Sequence, residues 1–382
     1  MVFNYNSIRY SRRFTMNYYM PSKVYIGEHI LEKNAQVFEG YSQALIVTGK
    51  SSAKKSGALD DLLPILIAKG VEYQIFDEIV QNPTVESVLK AGKTAHDNRA
   101  DVIIGIGGGS PLDSAKVIAA IATNPDLDEK GLYALDFPSK PLDIILIGTT
   151  AGTGSEVTKV AVLTNSEGLK KSVKTDEFYA KAAFGDPRYT MSLNREFTVS
   201  TGLDALAHCV ESYFNNQADD ISRGFAKEGT RILLPELRKL IDPEYELNIK
   251  ERENLYVGSI LGGLAINTTA TVFCHNVGYY LTENYQIPHG IACVYFMNDL
   301  IEFEHKNNPE YTDRFFDEIK TDINEFEKLI DALMPENTIK LSELQLQEIL
   351  PRWQDNRSVK NTYGSMTVSD VEAILRKHFV TE

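Results

Sequence analysis

Four residues with metal-ligating side chains stand at spacings that chemistry can use. Asp204 and His208, in the stretch TGLDALAHCVE, are four apart, so on a helix both side chains leave one face and can chelate one ion. His275 in FCHNVGYY and His289 in IPHG add two more imidazoles. One carboxylate oxygen and three ring nitrogens suit Fe²⁺ or Zn²⁺ and leave room for a substrate oxygen. A thiolate-rich set would point instead to a closed structural zinc. Taken one at a time these residues have ordinary readings: a hydrogen-bonded interior histidine, or a common i,i+4 helix pair. The remaining histidines, His29, His96, His305 and His378, lie in charged or polar settings that read as surface. Glu211, one turn past His208, is either a carboxylate behind a ligand or a helix-surface acid. Cys209 and Cys274 adjoin candidate ligands, which aims their side chains elsewhere and marks them as small buried hydrophobes.

A second chemistry-bearing pattern is Gly105-Ile-Gly107-Gly108-Gly109-Ser110-Pro111-Leu-Asp113, placed after an expected strand and opening an expected helix. Glycines let a diphosphate approach bare backbone N–H groups, and the helix dipole favours an anion there. Ser110 is expected to cap, Pro111 to take the first helical position and Asp113 to complete a capping box. The third glycine of the common GxGxxG pattern is absent, and a tight turn without ligand fits this loop nearly as well. A second loop, Thr149-Thr150-Ala151-Gly152-Thr153-Gly154-Ser155-Glu156, offers hydroxyl donors with little bulk after another strand. Two such loops on successive strand ends raise the case for a nucleotide.

The elements needed to position these groups are legible in the hydrophobic pattern. Ala44–Thr48, Tyr73–Phe76, Val102–Ile106 and Asp143–Gly148 read as buried strands. Residues 52–69, 84–98 and 111–123 between them carry helical periodicity. Strand–helix alternation predicts a parallel sheet covered on both faces, with ligands at the carboxyl ends of its strands. From about residue 195 the spacing is helical, over 221–241, 251–266, 311–334 and 367–379, the last opening on a TVSD cap. The expected division is an α/β domain over 1–190 and an all-helical domain over 191–382, with residues 1–15 a disordered extension.

Composition narrows the function classes. The chain has 382 residues, 43% hydrophobic and 24% charged, which describes a globular protein of two ordinary domains. Lys+Arg at 39 against Asp+Glu at 53 gives a formal charge of −14, which disfavours general nucleic-acid binding. No stretch approaches the ~20 apolar residues of a membrane span. The start has no apolar signal-peptide centre, and three cysteines form no CxxC, so a reducing cytoplasm is expected.

With these motifs in place, the chain resembles the iron-containing (group III) alcohol dehydrogenases. The resemblance runs from MPSKVYIG to the C-terminus and is carried by GGGSPLDSAK at 107–116, TTAGTGSEVT at 149–158, DPRYT at 186–190, TGLDALAHCVE at 201–211 and IPHG at 287–290. It implies a Rossmann-like dinucleotide-binding α/β domain followed by an all-α metal-binding domain, the fold shared with dehydroquinate synthase. By motif, Asp204, His208, His275 and His289 would hold the ion. Gly108, Gly109, Ser110 and Asp113 would meet the cofactor's diphosphate and ribose region, and Thr149, Thr150 and Thr153 would line the nicotinamide side. Asn82 in QNPT and Lys171 in LKKS would approach the cofactor. Many relatives carry a further histidine four residues after the ligand matching His275; here that place is Tyr279, a weak candidate for moving a proton.

Relatives that prefer NAD place an acid after the first strand. Here the loop is Gly49-Lys50-Ser51-Ser52, and Lys50 with its serines suits a 2′-phosphate, so NADP(H) is expected over NAD(H). The expected activity is hydride transfer between a primary alcohol or aldehyde and NAD(P), in a cytoplasmic homodimer or larger homo-oligomer that binds neither nucleic acid nor membrane. A nicotinamide- and zinc-using lyase of dehydroquinate synthase type, or a non-catalytic nucleotide-binding protein, are the alternatives.

Overall fold

A computed structural model describes residues 17–380; the extension expected over 1–15 lies outside the described residues. Six strands form one all-parallel sheet in the order β1-β8-β5-β4-β2-β3: β1 (Lys23–Ile26), β2 (Gln43–Thr48), β3 (Glu72–Phe76), β4 (Val102–Gly107), β5 (Asp143–Gly148) and β8 (Ala182–Gly185). β6 (Val160–Thr164) and β7 (Lys170–Lys174) pair as a separate antiparallel hairpin.

Both faces of the sheet are buried, which is why its strands are continuous apolar runs rather than alternating ones. Leu45, Val47, Ile103 and Leu146 face the helices Val85–Asp97 and Gly109–Thr123. Ala44, Ile46, Ile104, Ile145 and Ile147 face the other way, against the helix Ala58–Ala68. Among the described residues, those after Asn194 are helical or connecting chain apart from isolated bridges, and they have their own core, which includes Leu203, Leu206, Leu233, Leu237 and Leu255. No single described helix is long and apolar enough to cross a membrane.

The two halves meet at the carboxyl ends of β5 and β8. Tyr256, from the helix Ile249–Thr269, lies over Gly148 and Gly185, where an added Cβ would fall about 2.1 Å from its ring or hydroxyl. Its hydroxyl donates to buried Glu156 at 2.6 Å. Gly154 and Gly263 bring the two backbones together so closely that a Cβ on either would sit 2.6 Å from the other residue.

Several elements differ from the sequence expectation. Residues 52–69 form two helices, Ser52–Lys55 and Ala58–Ala68, separated at Gly57 with φ 84°. Residues 311–334 likewise divide into Pro309–Ile319 and Ile323–Leu333, because Lys320 takes φ 62° and Asp322 caps a new helix. The helix after β4 begins at Gly109 with Gly108 at its cap, so Ser110 and Asp113 are not capping residues and Pro111 is the third helical residue, not the first. Thr367 and Asp370 do form the expected capping box.

Candidate metal centre and nucleotide cleft

Asp204 and His208 stand one turn apart on the buried helix Arg195–Tyr213. His275 falls in the first turn of Phe273–Tyr285, which follows the break at Ala270. His289 opens the short helix His289–Val294. Gly290 makes that approach feasible, since a Cβ there would sit 1.8 Å from the Ser200 carbonyl oxygen. Asp204 Oδ1 lies 3.9 Å from His208 Nε2, 3.4 Å from His275 Nε2 and 3.8 Å from His289 Nε2. The Nε2 atoms of His208 and His275 are 3.0 Å apart. Asp204 Oδ1 thus stands within 4 Å of a ring nitrogen of each histidine, separations below twice the roughly 2.0–2.2 Å of a metal–ligand bond.

Hydrogen bonding on the far side of two rings fixes what they present. His275 Nδ1 is bonded to a carboxylate oxygen of Glu211, and His208 Nδ1 lies 3.3 Å from the Gly152 carbonyl. Both partners accept, so each Nδ1 carries a proton and each ring, when neutral, presents Nε2 as a lone pair. Burial pushes His275 down, but Cys293, Glu211 and Asp204 around it raise it well above the usual histidine range, so without a cation this ring holds a second proton on Nε2. The two Nε2 atoms therefore face each other beside Asp204 Oδ1, a buried carboxylate oxygen with no hydrogen-bond partner. Such a meeting of ligand atoms is satisfied either by a proton on His275 or by a cation that replaces it. Burial pushes the Asp204 carboxyl up, but the three imidazoles hold it below the usual carboxylate range. Burial also pushes His208 down, and His289 to about 3, leaving both rings neutral and able to ligate. The donor set fits a divalent ion.

Around this cluster the structure separates groups that the sequence left ambiguous. Glu211 is fully buried and bonded to His275, not a surface acid. Cys293, which sequence reasoning passed over, brings its sulfur 3.5 Å from His289 Nδ1 and forms a compact ligand-capable group with Asp204, His275 and His289. Its signal was present: it follows His289 by four, the same spacing that joined Asp204 to His208. Cys209 and Cys274 are buried. His29, His96 and His305 are exposed, and half-buried His378 pairs with Asp299. Tyr279 stacks on His289 at 5.5 Å, and burial pushes its phenol up, which makes it a poor proton acceptor. The lysine that reaches this side is Lys170, whose ammonium stands 5.2 Å over the Tyr279 ring. Lys171, its strand neighbour, lies over Tyr133 at 4.2 Å.

The two loops expected to meet a nucleotide leave adjacent strands at the same level, because Gly107 pairs with Gly148. They interlock. A Cβ on Gly108 would lie 3.0 Å from Thr150 Oγ1, and one on Gly109 2.7 Å from Thr153 Cγ2. Ser110 Oγ accepts from the Asn82 amide at 3.3 Å, and Asn82 has φ 56°. Thr149 is buried, its amide bonded to the Gly107 carbonyl. Asp113 spends its oxygens internally, accepting from Ser155 Oγ at 2.6 Å and the Val162 amide at 2.8 Å, so it ties the loop to β6. Lys50 and Ser51 are exposed beyond β2 beside half-buried Gly49, whose Cβ position would meet the Ile79 carbonyl at 3.2 Å. A cleft of about 460 Å³ separates Gln81 and Asn82 on the sheet side from Phe197, Ser200 and Thr282 on the helical side.

The family described as iron-containing alcohol dehydrogenase matches residues 21–187, and the C-terminal part of the Fe-containing alcohol dehydrogenase family matches 198–379. Among curated relatives, a 1,3-propanediol dehydrogenase of Klebsiella pneumoniae is 32% identical over 339 residues, 87% of this chain and 82% of its own. A long-chain primary alcohol dehydrogenase of Thermoanaerobacter ethanolicus is 33% identical over 70% of this chain and 69% of its own. A solved iron-containing alcohol dehydrogenase from Thermotoga maritima superposes with TM-score 0.86 at 35% identity, covering 95% of this chain and 99% of its own.

Proposed function

The chain belongs to the iron-containing alcohol dehydrogenase family, an alcohol/aldehyde oxidoreductase by that membership, and on this premise we propose that Asp204, His208, His275 and His289 hold its divalent ion while the interlocked loops hold NADP(H). The carrying observation is the convergence of three imidazole nitrogens on the buried Asp204 oxygen, each within 4 Å of it. When bound, the ion supplies Lewis acidity toward an alcohol or carbonyl oxygen and the nicotinamide supplies or accepts the hydride.

The chain's own residues do the rest. Gly108, Gly109 and Ser110 present backbone N–H groups at a helix N-terminus, which favours a diphosphate. Thr149, Thr150 and Thr153 line the floor against which the nicotinamide end lies, and Asn82 closes the loop from the other side. Lys170 takes the place assigned by motif to Lys171, because it is the lysine that stands beside Tyr279. Tyr279 stays protonated and holds His289 by stacking. Gly49, Lys50 and Ser51 stand where a 2′-phosphate would be read. The substrate is a primary alcohol or aldehyde, and the enzyme is a cytoplasmic homo-oligomer. The lyase alternative is not favoured, since the relatives are named alcohol dehydrogenases.

The test is a panel of primary alcohols and aldehydes run with NADPH and with NADH after refilling stripped protein with Fe²⁺ or Zn²⁺. Turnover should require metal, and kcat/KM should favour NADPH. Full turnover in stripped protein sinks the metal assignment, and equal kcat/KM with both cofactors sinks the assignment of Lys50.

A further inference from the structure

Glu211 is an acid on the helix that carries Asp204 and His208, yet it binds neither. Its side chain is fully buried and crosses to the start of the helix Phe273–Tyr285. There one oxygen, Oε2, accepts from the Val272 amide at 2.9 Å and the His275 amide at 3.2 Å. The other, Oε1, takes the Nδ1 proton of the His275 ring. The helix has no cap of its own, for Val272 stands at the N-cap with no side-chain bond. A single carboxylate from another helix therefore caps the element and grips the ring of its first-turn ligand.

We propose that Glu211 is the positioning residue of the metal centre, fixing the tautomer of His275 so that Nε2 faces the ion as a lone pair. This rests on the reading that Asp204, His208, His275 and His289 hold a divalent ion. The physical reason is directional. An imidazole left to itself exchanges its proton between two nitrogens, and only one of the two neutral forms can ligate through Nε2. A carboxylate at Nδ1 stabilises that form, raises the basicity of the ligating nitrogen and adds a negative charge that a divalent ion offsets. Glu211 does this while its second oxygen is held by two backbone amides, so it cannot swing away without uncapping the helix.

The arrangement makes Glu211→Gln an unusually sharp variant. The amide oxygen of Gln can keep the two backbone N–H bonds, which places its NH₂ group against Nδ1. That group donates, so Nδ1 must accept, and the ring proton moves to Nε2, where it blocks ligation. The cap survives and the ligand is lost. Glu211→Ala removes both.

The experiment compares wild type, Glu211→Gln, Glu211→Ala and His275→Ala as metal-stripped full-length proteins. Melting temperature is measured without metal, Co²⁺ affinity by chelator competition with the cobalt visible spectrum as readout, and the His275 tautomer by ¹⁵N spectra of histidine-labelled protein. Glu211→Gln should melt like wild type, carry its His275 proton on Nε2, and bind Co²⁺ some 10–100-fold more weakly. Glu211→Ala should melt lower. The proposal is overturned if Glu211→Gln keeps wild-type cobalt affinity and tautomer, or if it melts as low as Glu211→Ala, which would leave Glu211 a helix cap alone. Should wild type itself bind no cobalt in a His275-dependent way, the underlying metal assignment fails instead.

Discussion

At the scale of single residues the centre offers two overlapping four-donor sets, one with His208 and one with Cys293 in the fourth place. Burial pushes the Cys293 thiol up to about 11, whereas it pushes His208 down and leaves that ring a neutral donor whose Nδ1 proton is already spent on Gly152. The imidazole is ready to ligate and the thiol must first lose a proton in an apolar setting. His208→Ala should therefore lose bound metal and turnover together, while Cys293→Ser keeps metal stoichiometry by elemental analysis. Loss of metal from the serine variant would reverse the assignment. The i,i+4 pair Asp204 and His208 was legible because helical spacing alone places both on one face. Lys170 was not. Which of two adjacent strand residues faces the centre depends on register, and the β6–β7 hairpin that sets it is too short and polar to announce itself. Cys293 was legible by the same rule, since it follows His289 by four residues, but helical spacing tells nothing unless a helix is expected over 289–294, and that helix has only six residues.

At the scale of elements, the two loops after β4 and β5 work as one object. Their strands are neighbours in register, so each loop fills the space that a side chain on the other would need. Sequence showed both loops and their glycines but supplied only half the reason for the glycines: room for a diphosphate, and also room for Thr150 and Thr153. The helical breaks at Gly57 and Lys320 were missed because the apolar period continues across them, and a left-handed residue leaves no trace in hydrophobic spacing. The strands β1, at one edge of the sheet, and β8 beside it have four residues each, too few for periodicity to speak. Gly109→Val should push Thr153 outward and crowd the anion-facing backbone. We expect KM for the nicotinamide cofactor to rise at least tenfold with metal content unchanged, as seen by steady-state kinetics beside elemental analysis. A parallel loss of metal would mean that the loops support the metal centre as well.

For the whole molecule, the question is what makes an α/β half and a helical half act together. The approach of Gly154 to Gly263 and the bond from Tyr256 to Glu156 fix the halves against each other without any ion. The candidate ligands lie wholly on the helical side, from residue 204 to residue 289 on three helices, with His208 steadied by the Gly152 carbonyl of the sheet side. An ion gripping Asp204, His208, His275 and His289 therefore cross-links the helical core and stiffens one wall of the cleft. It binds the folded chain and scarcely the unfolded one, so it must stabilise by mass action, by about 2.7 kcal/mol when free metal is 100 times its dissociation constant. The melting temperature of stripped protein should rise continuously with added Zn²⁺, and His275→Ala should abolish the rise, measured from that variant's own, lower, stripped melting temperature, since it leaves the Glu211 carboxylate buried without its ring partner. A melting temperature indifferent to metal in the unaltered protein would mean that the four side chains meet for some purpose other than holding an ion.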